Sequence, residues 1–364
     1  MTFYQEVPYN DLPLLPPDQA IESASVLKSA ITANRTLAEL KGRADIIPNQ
    51  SILINSIILQ EARASSEIEN IITTNDRLFE AFTAADQDYD PHTKEVLRYR
   101  EALWMGYRKL RDHSLLTANL FIDIVQTIKQ NQDAVRKDSG TVIANPGTKQ
   151  IIYTPPEGEP VIRELLSNLE KFINDDSDGL DPLVKMAVIH YQFEAIHPFS
   201  DGNGRTGRII NILYLVQKEL LTLPILYLSD YIINHKSEYY RKIREVTEKG
   251  AWEPWILFVL DAIRMTADET MQKIESIKEL LARTIEEARE KLPARVYSKE
   301  LIELLFEQPY CKVRLLVDKG IAKRQTAAEY LKELENIGIL RSKQVGRENL
   351  YLNVPLYGLL SGEK

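Results

Sequence analysis

The chain has 364 residues, of which 44% are hydrophobic and 27% charged, with a formal net charge of −8. These values are typical of a globular protein of one large or two smaller domains, and the negative charge argues against a general nucleic-acid coat. The single cysteine, Cys311, excludes an internal disulfide and a cysteine-based zinc site. With no secretory signal pattern at the start and no run of about 18 apolar residues, we expect a cytoplasmic protein with no membrane partner.

Most of the chain has a helical pattern. Residues 1–16 are rich in proline, which predicts an irregular lead-in. After them, apolar residues recur at three- and four-residue spacing, which predicts amphipathic helices. The stretches with this spacing are 18–40, 51–71, 93–110, 118–130, 161–174, 182–196, 205–220 and 252–291.

Two regions depart from the helical pattern. Residues 140–153 have short β-branched runs around Asn145-Pro146-Gly147, which predicts a β-hairpin. In the tail, two helical stretches precede two short strands around a turn at Gly346, an order typical of a winged helix-turn-helix. The tail elements predicted are helical stretches at 298–320 and 323–336 and strands at 339–344 and 349–352.

Residues 197–208, His-Pro-Phe-Ser-Asp-Gly-Asn-Gly-Arg-Thr-Gly-Arg, form the stretch richest in chemically useful side chains. A glycine turn that opens a helix leaves backbone N–H groups unpaired, and such a helix start binds phosphate. Arg205 and Arg208, at i and i+3, lie on one helical face and can both reach an anion there. We predict a polyphosphate site at this turn.

The same stretch contains a candidate base and a candidate metal ligand. His197 lies four residues before Asp201, a carboxylate that by itself caps a helix or a turn about as often as it binds a metal. Gly202 and Gly204 permit close backbone approach, and Asn203 can orient the loop by side-chain hydrogen bonds. In this order the residues predict a proton acceptor beside a nucleotide.

This segment resembles the signature of the Fic family, His-Pro-Phe-x-(Asp or Glu)-Gly-Asn-(Gly or Lys)-Arg-x-x-Arg, at every defined position. The resemblance implies a mainly α fold: a Fic-type helical bundle with a small β-hairpin flap, followed by a C-terminal winged helix-turn-helix domain. We place the N-terminal helical region at 1–90, the Fic core at 91–290 and the winged-helix domain at 291–364. Since known Fic proteins mostly transfer AMP from ATP to a hydroxyl of a target protein, we expect a protein adenylyltransferase.

The resemblance also implies a role for each residue of the motif. His197 would be the general base for the Ser, Thr or Tyr hydroxyl of the target, and Asp201 would coordinate Mg²⁺. Glycine at 204 favours AMP transfer, because the kinase-like Doc branch has lysine there. The residues that would hold ATP are Gly202, Asn203 and Gly204 at the α- and β-phosphates, Arg205 in support, and Arg208 at the γ-phosphate.

Two further segments resemble parts of the family site. The flap around 149–154, with Ile152 and Tyr153, would align the target peptide by strand-like pairing. Tyr239 and Tyr240 lie in a tract similar to a family segment whose tyrosines border the adenine, although both could equally be core aromatics.

Residues 65–70, Ser-Ser-Glu-Ile-Glu-Asn, resemble the inhibitory motif of the family, (Ser or Thr)-x-x-x-Glu-(Gly or Asn). Four-residue spacing would place Ser65 and Glu69 on one helix face. The resemblance implies that Glu69 pairs with Arg208 in the place of the γ-phosphate, so that ATP binds in an orientation unfit for in-line attack. The alternative is a solvent-exposed helical glutamate.

Other functions stay open. The tail could make the chain a DNA-binding regulator with a nucleotide-sensing Fic domain, but residues 297–364 carry only 11 Lys and Arg against 9 Asp and Glu, a weak basic excess for that role. Protein docking or a homodimer suits the tail at least as well. A Fic enzyme could also modify itself, transfer another group or remove AMP.

Overall fold

Helices make up most of the molecule, as the sequence predicts. The structure, a computed structural model, describes residues 3–362 except 46, 48, 85–88, 133, 146 and 347, so Pro146 of the predicted hairpin lies outside the described residues. In chain order the helices of the described residues are α1 Ala24–Asp45, α2 Gln50–Ile68, α3 Asn75–Thr83, α4 Pro91–His113, α5 Ala118–Lys129, α6 Glu159–Asn174, α7 Pro182–Ile196, α8 Asn203–Gln217, α9 Leu228–Asn234, α10 Lys236–Lys249, α11 Trp252–Lys291, α12 Lys299–Leu304, α13 Val313–Asp318, α14 Arg324–Asn336 and α15 Val354–Ser361.

The core is built around α7 and α8, which pack against each other with α4, α5, α6 and α11 around them. Every residue of α7 except Pro182 and Glu194 is buried. Asp181 caps this helix, because its carboxylate accepts from the N–H of Leu183 at 2.8 Å, and proline at the first position suits a helix start. A helix that is buried on all sides, as α7 is, belongs at the centre of a fold.

Two small antiparallel sheets complete the fold. The predicted hairpin is present as β1 Ile143–Ala144 and β2 Ile151–Tyr153. In the tail, β3 Tyr310–Cys311, β4 Leu340–Val345 and β5 Glu348–Asn353 form a sheet in the order β3-β5-β4. This sheet, together with α12, α13 and α14, is compatible with the winged-helix expectation.

Several predicted boundaries are wrong. The first helix begins at Ala24, not at residue 18, and continues to Asp45. The predicted helical stretch 298–320 is interrupted by β3, because Tyr310 and Cys311 pair with residues of β5 some forty positions later, a long-range contact that no local pattern reveals. Four helices were not predicted: α3, α9, α10 and α15. Helix α10 buries only Tyr239 and Val246, and most of its residues are charged or polar, so its apolar stripe is narrow and easily missed.

Within the described part of the chain, none of the helices is both long enough and apolar enough to cross a membrane.

Trp255 of α11 anchors the long helix to the central one. Its side chain is fully buried, and its Nε1 donates to the carbonyl oxygen of Ala187 in α7 at 2.8 Å. We expect Trp255→Ala to lower the free energy of unfolding by about 3–5 kcal/mol, through the cavity that it leaves. Urea denaturation measures the change. Trp104→Ala is the control, since Trp104 is only partly buried, and an equal loss in both variants would contradict the assignment.

Candidate functional site

The turn that joins α7 to α8 is rigidly held. His197 ends α7 in the left-handed region, with φ at 49°, and Gly202 precedes α8 at φ 83°. Asn203 binds the backbone of Phe199 twice: its Oδ1 accepts from the N–H at 2.8 Å and its Nδ2 donates to the carbonyl oxygen at 2.7 Å. Phe199 is fully buried. Helix α8 starts at Asn203, so the N–H groups of its first turn have no partner within the helix.

The environment of His197 favours the neutral imidazole. Burial lowers the pKa of His197 to about 4, and the charge of Arg136 acts in the same direction, whereas Glu69, the backbone oxygen of Glu194 and Asp201 oppose the shift. Arg136 fixes the backbone here, with its Nε 2.8 Å from the carbonyl oxygen of His197. The ring is therefore neutral at pH 7, the form that a general base requires.

Asp201 and Arg205 belong to a cluster of four charged groups. Asp201 Oδ2 lies 2.5 Å from Lys129 Nζ, and Oδ1 lies 3.5 Å from a terminal nitrogen of Arg205. Arg205 and Lys129 also meet Glu95 of α4, at 2.5 Å and 3.0 Å. Burial would raise the pKa of Asp201, but the hydrogen bond and charge of Lys129 lower it below its usual value, so Asp201 is ionised at neutral pH.

Arg208 lies in a second, separate cluster. Its Nε donates to the hydroxyl of Ser65 at 2.7 Å, and its NH2 donates to the Ser65 carbonyl oxygen at 2.8 Å and to Glu69 Oε1 at 3.0 Å. The side chain of Arg208 is only 2% exposed. The two arginines that share a helix face thus pair with different carboxylates, Arg205 with Glu95 and Arg208 with Glu69, and do not converge on one point in this structure.

Glu69 lies at the end of α2. The helix ends at Ile68 and Glu69 is its C-cap, and Ser65 and Glu69, four residues apart, both bond the Arg208 guanidinium. The next residue, Asn70, has φ at 62°, a conformation that glycine and asparagine adopt most readily. The chain therefore turns away from the helix directly after Glu69. Lys236 Nζ donates to the carbonyl oxygen of Ile68 at 2.6 Å and holds the end of α2.

Gly204 is the position where α8 meets Glu69. A Cβ at 204 would collide with Glu69 Oε1 and lie 2.9 Å from an Arg208 nitrogen. Only glycine therefore leaves room for the carboxylate in this arrangement. A side chain at 204 would therefore require the Glu69 carboxylate to shift.

A cavity of about 580 Å³ opens between the flap, the end of α2 and α10. Tyr239 is buried, with its hydroxyl 2.8 Å from His190 Nε2, whereas Tyr240 is 45% exposed. His197 and Gly202 lie in the turn between α7 and α8 and do not border this cavity. The candidate residues that do border it are Glu69, Ile152, Tyr153, Tyr239 and Tyr240.

Sequence reasoning missed several charged residues of the site. Glu194, one turn before His197, lines the cavity, and its Oε1 is buried with no hydrogen-bond partner among the described residues. Burial raises the pKa of Glu194 to about 7; Arg208 opposes the rise and Glu69 adds to it. Glu95, Lys129 and Lys236 were also missed, because each is distant from the motif in sequence and none lies in a recognisable pattern.

Comparison with known proteins identifies the family of the chain. Three family models match the chain, Fic/DOC family N-terminal over residues 27–108, Fic/DOC family over 115–215, and the C-terminal domain of protein adenylyltransferase SoFic-like over 280–356. The chain belongs to the Fic/DOC family.

Curated relatives match part of the chain. Protein adenylyltransferase fic-1 of Caenorhabditis briggsae is 31% identical over 110 residues, which are 29% of this chain and 20% of the relative. The fic-1 protein of Caenorhabditis elegans is 26% identical over 155 residues, 41% of this chain and 27% of the relative. The chain therefore spans about a fifth to a quarter of the length of these relatives.

Solved structures share the fold. A Fic family protein from Desulfovibrio desulfuricans G20 aligns with a TM-score of 0.56 and 17% identity, over 93% of this chain and 98% of that one. A Fic domain containing signaling protein from Bacteroides thetaiotaomicron aligns with a TM-score of 0.54 and 16% identity, over 68% of this chain and 95% of that one. At these identities the likeness shows the fold alone.

Glu194 generates a pH-dependent prediction. Because folding raises its pKa from 4.5 to about 7, its contribution to stability is fully present below pH 4.5 and is lost as the pH rises to about 7. We expect Glu194→Gln, which mimics the neutral acid, to raise the free energy of unfolding at pH 8 by about 1–3 kcal/mol and at pH 5 by less than about 1 kcal/mol. Denaturation at both pH values measures this. Glu164→Gln, at an exposed residue of α6, is the control, and a gain independent of pH would contradict the assignment.

Proposed function

We propose that this protein transfers AMP from ATP to a Ser, Thr or Tyr hydroxyl of a target protein, and to itself, and that Glu69 restrains the reaction. Support comes from the membership of the Fic/DOC family and from relatives named protein adenylyltransferases. The observation that carries the proposal is the geometry of Arg208, whose buried guanidinium meets a carboxylate 3.0 Å away at the head of α8, where a phosphate can replace it.

The proposed reaction is a displacement at the α-phosphorus of ATP. The hydroxyl oxygen of the target forms a bond to that phosphorus while the bond from phosphorus to the bridging oxygen breaks, and pyrophosphate leaves. The hydroxyl proton passes to His197. Since Nδ1 of His197 is buried, Nε2 is the nitrogen that meets the hydroxyl. The first-turn N–H groups of α8 and Arg208 stabilise negative charge on the phosphate oxygens.

The residues present fit a magnesium ion. Asp201 is ionised, its side chain is 59% exposed, and a cation already faces it as the Lys129 ammonium. One carboxylate with phosphate oxygens is a common way to hold Mg²⁺. When bound, the ion would neutralise charge on the phosphates and leaving group. Asp201 would coordinate the ion, and the Lys129 ammonium would move away from the Asp201 carboxylate.

Glu69 restrains transfer by occupying the place of a phosphate. Its carboxylate accepts a hydrogen bond from one terminal nitrogen of Arg208 and fills the space beside Gly204. ATP that binds while Glu69 stays in place has to displace its terminal phosphate, which turns the α-phosphorus away from in-line attack. A misplacement of about 1 Å can reduce a rate a hundredfold. Release of Glu69 frees Arg208 for the γ-phosphate.

The Glu69 and His197 roles are tested by incorporation of α-³²P-labelled AMP into the protein and into added target proteins. We expect Glu69→Gly to raise labelling by about tenfold to a hundredfold, and His197→Ala in the same background to abolish it. Glu67→Gly is the matched control, because Glu67 pairs with Arg63 on the same helix and is not a partner of Arg208.

Equal labelling of the wild type, Glu69→Gly and the double variant would overturn both assignments. Labelled GTP, UTP and CDP-choline run in parallel distinguish AMP transfer from transfer of another group. Incubation of labelled product with the wild type shows whether AMP is removed again.

The magnesium assignment is tested through Lys129. We expect Lys129→Met in the Glu69→Gly background to lower the Mg²⁺ concentration for half-maximal ATP binding by about threefold, because the ammonium no longer competes for Asp201. Asp201→Asn is expected to raise it. Lys109→Met is the control, since Lys109 pairs with Asp123 instead. Calorimetric titration measures the shifts, and a Mg²⁺ requirement unaltered by Asp201→Asn removes this ligand from the proposal.

A further inference from the structure

The C-terminal sheet is bound to α3, the helix that follows the Glu69 turn. Tyr310 of β3 donates from its hydroxyl to Asp76 Oδ1 at 2.5 Å. Lys343 of β4 reaches Asp76 Oδ2 at 2.8 Å and also pairs with Glu80. Thr83 at the end of α3 donates to the carbonyl oxygen of Tyr310 at 3.2 Å. The tail therefore contacts α3 along its whole length.

The same tail also holds α2, the helix that precedes Glu69. Asn49, the N-cap of α2, donates to Glu307 Oε1 at 3.1 Å, and Glu307 lies between α12 and β3. In the middle of α2, the buried side chain of Gln60 donates to the carbonyl oxygen of Leu360 in α15. Near the start of α3, Asn75 Nδ2 lies 3.4 Å from the carbonyl oxygen of Ser361. The two helices that flank Glu69 are thus attached to one body.

Between these attachments lies a short segment, residues 69–74, which we call the inhibitory turn. Its amides are folded back on α2: the N–H groups of Glu69 and Ile71 donate to the carbonyl oxygen of Ser66, each at 3.0 Å. The inhibitory turn is short and both of its ends are attached to helices. A displacement of α2 or α3 therefore also moves the turn, because few backbone torsions are available to compensate for it. The position of Glu69 against Arg208 then depends on where the tail sits.

We propose that the C-terminal domain is a clamp that keeps the inhibitory turn in its restraining position, so that loosening the tail from α3 releases Glu69 and activates transfer. The proposal rests on the proposed function and adds a regulator to it. Lys343 is the central contact, because it lies between two carboxylates of α3 and over the Tyr310 ring at 5.9 Å.

Coupling between two sites of this kind is typically worth a fivefold change or more in an equilibrium. We therefore expect Lys343→Glu, which sets three carboxylates against one another, to raise AMP incorporation at least fivefold over wild type. The same substitution is expected to speed hydrogen exchange of the 66–74 amides at least fivefold, measured by mass spectrometry. Lys343→Glu combined with Asp76→Lys restores an opposite-charge pair and is expected to return both values toward wild type.

Two further variants make the result specific. Lys299→Glu applies the same charge reversal in the tail, but Lys299 pairs with Glu303 of its own helix, so we expect no change in either measurement. Tyr310→Phe removes only the hydroxyl bonded to Asp76 and is expected to change both measurements in the direction of Lys343→Glu, by a smaller factor.

Wild-type exchange of the 66–74 amides in Lys343→Glu overturns the proposal. If the tail amides exchange freely, a detached tail has failed to loosen the inhibitory turn. If the tail amides stay protected, Lys343 is not the central contact of the clamp. Failure of the double variant to recover also overturns it. Hydrogen exchange does not depend on catalysis. If Glu69→Gly incorporates no labelled AMP, that result counts against the proposed function alone. The exchange rates of the 66–74 amides still test whether the C-terminal domain is the clamp.

Discussion

The arrangement of the site depends on one buried cation, Arg208. A guanidinium with 2% of its side chain exposed is costly to bury unless its donors are satisfied by charged and polar partners. In this structure Ser65 and Glu69 supply them. Any state without Glu69 at this point must offer another anion in its place, and a nucleotide phosphate is the anion that the start of α8 favours. In the proposed function, restraint by Glu69 and binding of ATP are therefore alternatives at Arg208.

A second buried network fixes the helix that carries Ser65. Glu61 of α2 accepts from the hydroxyl of Tyr99 at 3.1 Å and from the backbone N–H of Ser229 at 2.9 Å. Burial raises the pKa of Glu61, and the bonds from Ser229 oppose the rise. These contacts tie α2 to α4 and α9 two turns before the inhibitory turn. The body of α2 is thus anchored in the core, and in the proposed function only its C-terminal end, with Glu69, would have to move.

The central helices could be predicted from the sequence, because their patterns are local. Helices α7 and α11 begin and end where their apolar patterns do. Other parts of the structure depend on contacts between residues far apart in the sequence, which spacing cannot show. Glu95 meets Arg205 from a position 110 residues earlier, and Tyr310 and Cys311 form a strand because they pair with β5.

The two arginines of α8 show why a shared helix face does not mean a shared ligand. Arg205 is paired with Glu95 within the core, and Glu95 also holds Lys129, so removing one member would leave another charge uncompensated. Arg208 is paired with a residue at the end of a helix, whose side chain is 35% exposed. Of the two pairs, the second exchanges its carboxylate for a phosphate at lower cost. Arg205 is consequently suited to fix the position of Asp201, and Arg208 to respond to what binds.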